Sequence, residues 1–128
     1  MSASAQRAPA ASSSSAYRQL EAMLAAERCV VLDGGVATEL ERRQSGATPD
    51  PELWGTWALF RAPQAVLDVH RSYVDAGCNV LSTDTWSILS APEVERRRLG
   101  AGAGEAVHWM DVARLGIRLA RRAIEEGD

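Results

Sequence analysis

Two short stretches of this chain are dense in apolar residues, and around them the apolar positions recur at steps of three and four. The first, "CVVLD" at Cys29 to Asp33, runs unbroken until it meets an acid, the pattern of a strand covered on both faces. The second, "CNVLST" at Cys78 to Thr83, reads as another strand. Gly34 and Gly35 turn the chain out of the first run, and "VATELERR" then sets Val36 and Leu40 on one side of a helix with Glu39, Arg42 and Arg43 toward water. Pro63 opens a further helix where its missing N–H is harmless; Val66, Val69, Tyr73 and Val74 form the apolar face, and Gly77 ends it. A long helix from about Glu105 to Glu126 steps through Ala106, Met110, Ala113, Ile117, Ala120 and Ile124 with its arginines outward. Leu20, Met23 and Leu24 predict a short amphipathic helix between Tyr17 and Glu27, and another short helix is expected near Pro92 to Leu99. "QSGATPDPE" at 44–52 concentrates turn residues and reads as a loop.

The order strand, helix, loop, helix, strand, loop, helix predicts an α/β fold with two parallel strands joined by helical crossovers. Two strands close nothing: each keeps an open edge, and a third strand is expected after the last helix.

Composition narrows the classes. Hydrophobic residues make up 46% of the 128 positions and the net charge is −3, with acids and bases mixed, so no basic stripe points to nucleic acid. No apolar run approaches the roughly 20 residues of a membrane span. Cys29 and Cys78 lack C-x-x-C spacing and read as buried thiols of a reducing compartment, which suggests a cytoplasmic protein. Residues 1–16, "MSASAQRAPAASSSSA", are Ala- and Ser-rich and free of acids; this reads as a disordered tail ahead of a domain at 17–128, although an organelle transit peptide shares the composition.

In a parallel α/β structure ligands gather at the carboxyl ends of the strands. Asp33 and Gly34 end the first predicted strand, and Thr83, Asp84 and Thr85 the second. Neighbouring strands would put Asp33 beside Thr83, a carboxylate suited to a ligand ammonium and a hydroxyl suited to a ligand carboxylate. Gly34 and Gly35 would clear space around them. Alternatively, Asp33 caps the helix that starts at Val36. The cysteines start their strands, about 15 Å from that rim, and read as core residues. His70 and His108 have no second ligand at i+4 and read as packing or surface residues. "GAGAGE" at 100–105 has no strand before it and reads as a helix lead-in rather than a phosphate loop. Trp54 and Trp57 read as packing residues, whereas Trp86, next to Thr85, is also a candidate wall of the site.

The ordered series "LDGGVATELERR", "LWGTWAL", "PQAVLDVHRSYVDAGCNVLSTDTW" and "ARRAIEEGD" resembles the amino-terminal part of the homocysteine S-methyltransferase family, over about residues 30–128. The resemblance implies a (β/α)8 barrel, of which this chain would be an N-terminal fragment holding the first two βα units. It also implies methylation of the homocysteine thiolate on a zinc ion to give methionine, from S-methylmethionine, S-adenosylmethionine or betaine. Coordination by zinc deprotonates a thiol near neutral pH, which makes it a nucleophile. Carried onto this chain, Asp33, Gly34, Gly35 and Thr83 become homocysteine contacts, and Trp54 and Trp86 fall on the donor side, where aromatic faces suit a cation. Asp84 and Trp86 stand where an uncharged residue and Tyr or Phe are more usual, which leaves the donor open. The family's zinc cysteines lie in later strands, so the resemblance implies a chain truncated before its metal ligands, binding no zinc and inactive alone. A non-catalytic remnant that completes a barrel with a partner chain is the alternative.

Overall fold

The computed structural model describes residues 15–43, 50–99 and 108–127. They form six helices, α1 (Ser15–Ala25), α2 (Val36–Arg43), α3 (Trp57–Arg61), α4 (Pro63–Asp75), α5 (Ala91–Leu99) and α6 (Trp109–Glu126), with a 3-10 turn at Trp54–Thr56. The chain divides into two units, Met1–Val30 and Val31–Asp128. Among the described residues, no helix is long and apolar enough to cross a membrane.

The first unit contains α1, which starts and ends two residues earlier than its pattern suggests and buries none of its residues. Its end is a Schellman turn: Glu27 stands at φ 54°, its N–H donates to the Leu24 carbonyl at 3.0 Å, and the Arg28 N–H donates to that of Met23 at 2.9 Å. The tail reading for 1–14 lies outside the described residues. Cys29, expected to be buried, is exposed.

The second unit is organised around α4, which packs on α2, α3 and α6. Val36 and Leu40 of α2 enter the core as their spacing predicts, beside Ala58 and Leu59 of α3 and Val66, Leu67 and Val69 of α4. From α6 come Val112, Leu119 and Ala123. This is only in part the expected face: Ala120 is buried and Ala113 half-buried, but Met110, Ile117 and Ile124 are exposed, and Ala106 lies outside the described residues. Both faces are apolar at helical spacing. The buried face carries the smaller residues Gly116, Ala120 and Ala123, which let α6 come close to its neighbours. Its N-terminus is capped by His108, whose Nδ1 accepts from the Met110 N–H at 3.2 Å. A smaller cluster of Leu53, Ala91 and Val94 joins the main core through Trp57 and Phe60.

The expected pair of parallel strands is not formed, and the reading of the chain as an α/β fragment of a (β/α)8 barrel is corrected accordingly. Among the described residues, the two stretches meet at one isolated parallel bridge, Leu32 with Val80. The Asp33 N–H donates to the Val80 carbonyl at 3.0 Å, and the Asn79 N–H donates to that of Val31 at 2.7 Å. A ladder would extend this pairing through further backbone groups, but side chains take those groups instead. The Asn79 side chain accepts the Val31 N–H at 2.9 Å, and the Asp33 carboxylate accepts the Ser82 N–H at 2.8 Å. Such local competition is how Asn and Asp end sheets. The stretch is not covered on both faces either: Val31 and Leu32 are exposed, Leu32 by 65%.

Candidate functional site

The bridge brings two turns together. Asp33 Oδ2 accepts both the N–H and the hydroxyl of Ser82, each at 2.8 Å, so the Asp33–Gly34–Gly35 turn is fastened to the turn that runs from Ser82 to Trp86. Tyr73 of α4 secures the first turn from below, its hydroxyl donating to the Gly35 carbonyl at 3.3 Å. That hydroxyl lies 2.7 Å from where a Cβ on Gly34 would stand, which accounts for glycine there. Burial raises the Tyr73 pKa, and the charges of Glu39 and Asp33 add to the effect.

The other side of the site is built from Asp50 onward. Asp50 Oδ1 accepts the N–H groups of Glu52 at 3.0 Å and Leu53 at 2.7 Å, and its backbone carbonyl accepts that of Trp54 at 2.9 Å. Arg98 of α5 pairs with its carboxylate and, at 3.0 Å, with Glu52. These contacts, led by Arg98, hold the Asp50 pKa down to about 2. The chain then passes through Trp54 at φ 48° into Gly55 and the buried Thr56. The Thr56 hydroxyl donates to the Asp84 carbonyl at 3.0 Å and accepts the Ser87 N–H at 3.2 Å, pinning the 84–87 turn across 28 residues of chain. Here the backbones approach so closely that a Cβ on Gly55 would lie 2.6 Å from Asp84 Oδ1 and 2.7 Å from the Ala37 Cβ.

Between these turns opens a cavity of about 900 Å³. Its walls are Gly34 to Thr38, Trp54 to Thr56 and Leu81 to Trp86. Trp54 and Trp86 are 61% and 93% exposed, so both present aromatic surface for contact. Backbone N–H groups at the start of α2 and the hydroxyls of Thr83 and Thr85, 2.9 Å apart, supply polar contacts. Asp84 is the acid of this wall. Its backbone is left-handed at φ 57°, its Oδ2 is buried with no hydrogen-bond partner among the described residues, and burial lifts its pKa to about 7. Below the site His70 of α4 is fully buried, its ring nitrogens likewise without partners among the described residues. Burial lowers its pKa, and the charge of Asp33 opposes the shift.

Of the residues singled out in the sequence, Gly34, Gly35, Thr83, Trp54 and Trp86 line this one cavity. Asp33 stands next to the lining residue Gly34, engaged with Ser82 rather than with Thr83, whose hydroxyl meets Thr85. Trp57 is a packing residue between the two apolar clusters. "GAGAGE" lies outside the described residues. Sequence reasoning missed Ser82, Gly55 and Thr56. Ser82 carried a weak signal, standing next to a predicted rim, but Thr56 acts across a distance in sequence that no local pattern reports. Cys78 is half-buried and burial raises its thiol pKa, so it favours the protonated form that metals bind poorly. Among the described residues, no three His, Cys, Asp or Glu side chains are grouped as a metal ion requires, so they do not fit a zinc site.

Residues 30–128 match the family model described as Homocysteine S-methyltransferase. The chain is 33% identical over 98 residues to Homocysteine S-methyltransferase 1 of Zea mays, an alignment covering 77% of this chain and 28% of that protein. It is 35% identical over 83 residues to Homocysteine S-methyltransferase 3 of Arabidopsis thaliana, covering 62% and 22%. Selenocysteine Se-methyltransferase of Brassica oleracea var. italica is 38% identical over 56 residues, covering 44% and 16%. The chain thus spans less than a third of the length of these relatives. No solved structure matches it.

Proposed function

The chain belongs to the homocysteine S-methyltransferase family, and on that premise we propose that the cavity is the amino-acid-binding part of a site in which homocysteine accepts a methyl group to become methionine. The observation that carries this reading is the fastening of the Asp33–Gly34–Gly35 turn to the turn that bears Thr83, with both turns contributing to one cavity. An amino acid needs an acceptor for its ammonium and donors for its carboxylate. Ser82 occupies Asp33 Oδ2, and Oδ1 with its negative charge would meet the ammonium. The Gly34 and Gly35 backbone and the Thr83 hydroxyl would meet the rest of the amino acid. Trp54 and Trp86, exposed on the same cavity, suit the onium group of a methyl donor such as S-methylmethionine, S-adenosylmethionine or betaine.

What the described residues supply is a grip on the amino acid. They hold no ligand set for the zinc that would activate the thiol, so the part of the reaction assigned to them is binding. Titration with homocysteine, followed by tryptophan emission, tests the reading. A saturable change is expected, weakened roughly tenfold or more by Asp33→Ala, as loss of a charge-assisted contact implies. No saturable change, or equal binding by the variant, would rule the assignment out.

A further inference from the structure

Asp84 is not needed to hold its own turn. The Thr56 hydroxyl does that through the Asp84 backbone carbonyl, not through the side chain. Yet a carboxyl group stands there under two unfavourable conditions. Its backbone is left-handed at φ 57°, and its Oδ2 is buried without a donor among the described residues. An acid left in this state is costly to the fold. Gly55 and Thr56, which lie beside it, carry no charge that would offset the cost. The open side of the same wall is a cavity of about 900 Å³ flanked by two exposed tryptophan rings.

We propose that Asp84 is a specificity-determining residue of this cavity: its carboxylate is the counter-charge that favours a cationic ligand group, seated against Trp54 and Trp86, over a neutral group of the same shape. Because the Asp84 carboxyl is itself buried, it acts on a cation in the cavity partly through protein rather than water, where the interaction is less screened. The pKa, raised by burial to about 7, fits this role, since a cation entering the cavity would draw the acid further into its ionised form. The tryptophan faces supply the other half of the recognition, an attraction that is stronger for a desolvated cation. The proposal deepens the reading of the cavity as a site for an onium methyl donor.

The experiment uses probes that neither react nor require homocysteine: choline, and its neutral isostere 3,3-dimethylbutan-1-ol, each titrated into the full chain with tryptophan emission as the readout. Choline is expected to bind roughly tenfold more tightly than the alcohol, and Asp84→Asn, which keeps the shape and tolerates the left-handed backbone, should cut the preference to the roughly threefold that the tryptophan faces supply. Asp84→Gly also tolerates that backbone and should behave alike, which guards against a folding defect in either variant; far-UV circular dichroism shows whether each is folded. A preference undiminished in both variants, equal binding of the two probes by the native chain, or no saturable response to choline overturns the proposal. None of these outcomes touches homocysteine binding through Asp33, which its own titration decides.

Discussion

Glu27 and Gly77 hold the same place in two helix ends and show how much one residue type weighs. After α4, Gly77 stands at φ 89°, its N–H donating to the Val74 carbonyl at 2.8 Å, and the Cys78 N–H donates to that of Tyr73 at 3.1 Å. α1 ends with the same pair of bonds but places a glutamate in the left-handed position. A side chain there costs about 1 kcal/mol relative to glycine. Gly77→Ala is therefore expected to lower stability by about 1 kcal/mol, read from the urea midpoint at unchanged slope. Glu27→Gly should do the reverse at its own helix end, slowing amide exchange at Arg28 by roughly fivefold. Gly77 was legible because glycine announces its position in any sequence. Glu27 was not, because the turn is set by backbone bonds that a glutamate merely tolerates.

The helices were more legible than the strands. α2 and α4 could be read from Val36, Leu40, Val66 and Val69 because helical hydrogen bonds are local and their apolar spacing survives almost any surroundings. A strand depends on a partner elsewhere in the chain, and here Asn79 and Asp33 claimed the N–H groups that a ladder needs, at separations of 48 and 49 residues. Composition alone could not show that "CVVLD" would end as a single bridge. α6 was legible in part: Ala120 of the predicted face is buried, but apolar residues lie to either side of it, and contact with α4 selects the side of Val112, Leu119 and Ala123. The link between α5 and the turn ahead of Trp54 was likewise invisible, since Asp50 and Arg98 lie 48 residues apart. Its consequence is measurable in acid. Asp50 has its pKa lowered from 3.8 to about 2, so the native state holds its proton less tightly than the unfolded chain. The stabilisation is fully present above pH 3.8 and is lost as the pH falls toward 2. Arg98→Ala removes the largest cause of the shift, and its stability is expected to depend less on pH between about 4 and 2 than that of the native chain, measured by urea melts at stepped pH.

Across the second unit as a whole, α6 ties the core to the cavity. Near its middle, Gly116 lies against the Thr83 carbonyl, so close that a Cβ would come within 2.6 Å of that oxygen, while Val112, Leu119 and Ala123 of the same helix enter the core. Its far end is held to α4 by the pairing of Arg71 with Glu126. The shape of the cavity wall therefore depends on burial more than a helical turn away. Ala123 and Ile124 separate burial from mere apolarity: the alanine is fully buried and the larger isoleucine is 49% exposed. Ala123→Glu places an unpaired charge in the core and is expected to cost roughly 3 kcal/mol or more. Ile124→Glu, one residue on, should stay within about 0.5 kcal/mol of the native chain. Because one helix serves both regions, the helical signal and the emission of Trp54 and Trp86 should be lost together as Ala123→Glu unfolds, in coincident transitions. Emission that changes well before the helical signal would show the cavity turns to be anchored independently of α6, and a costly Ile124→Glu would place the wrong face of the helix in the core.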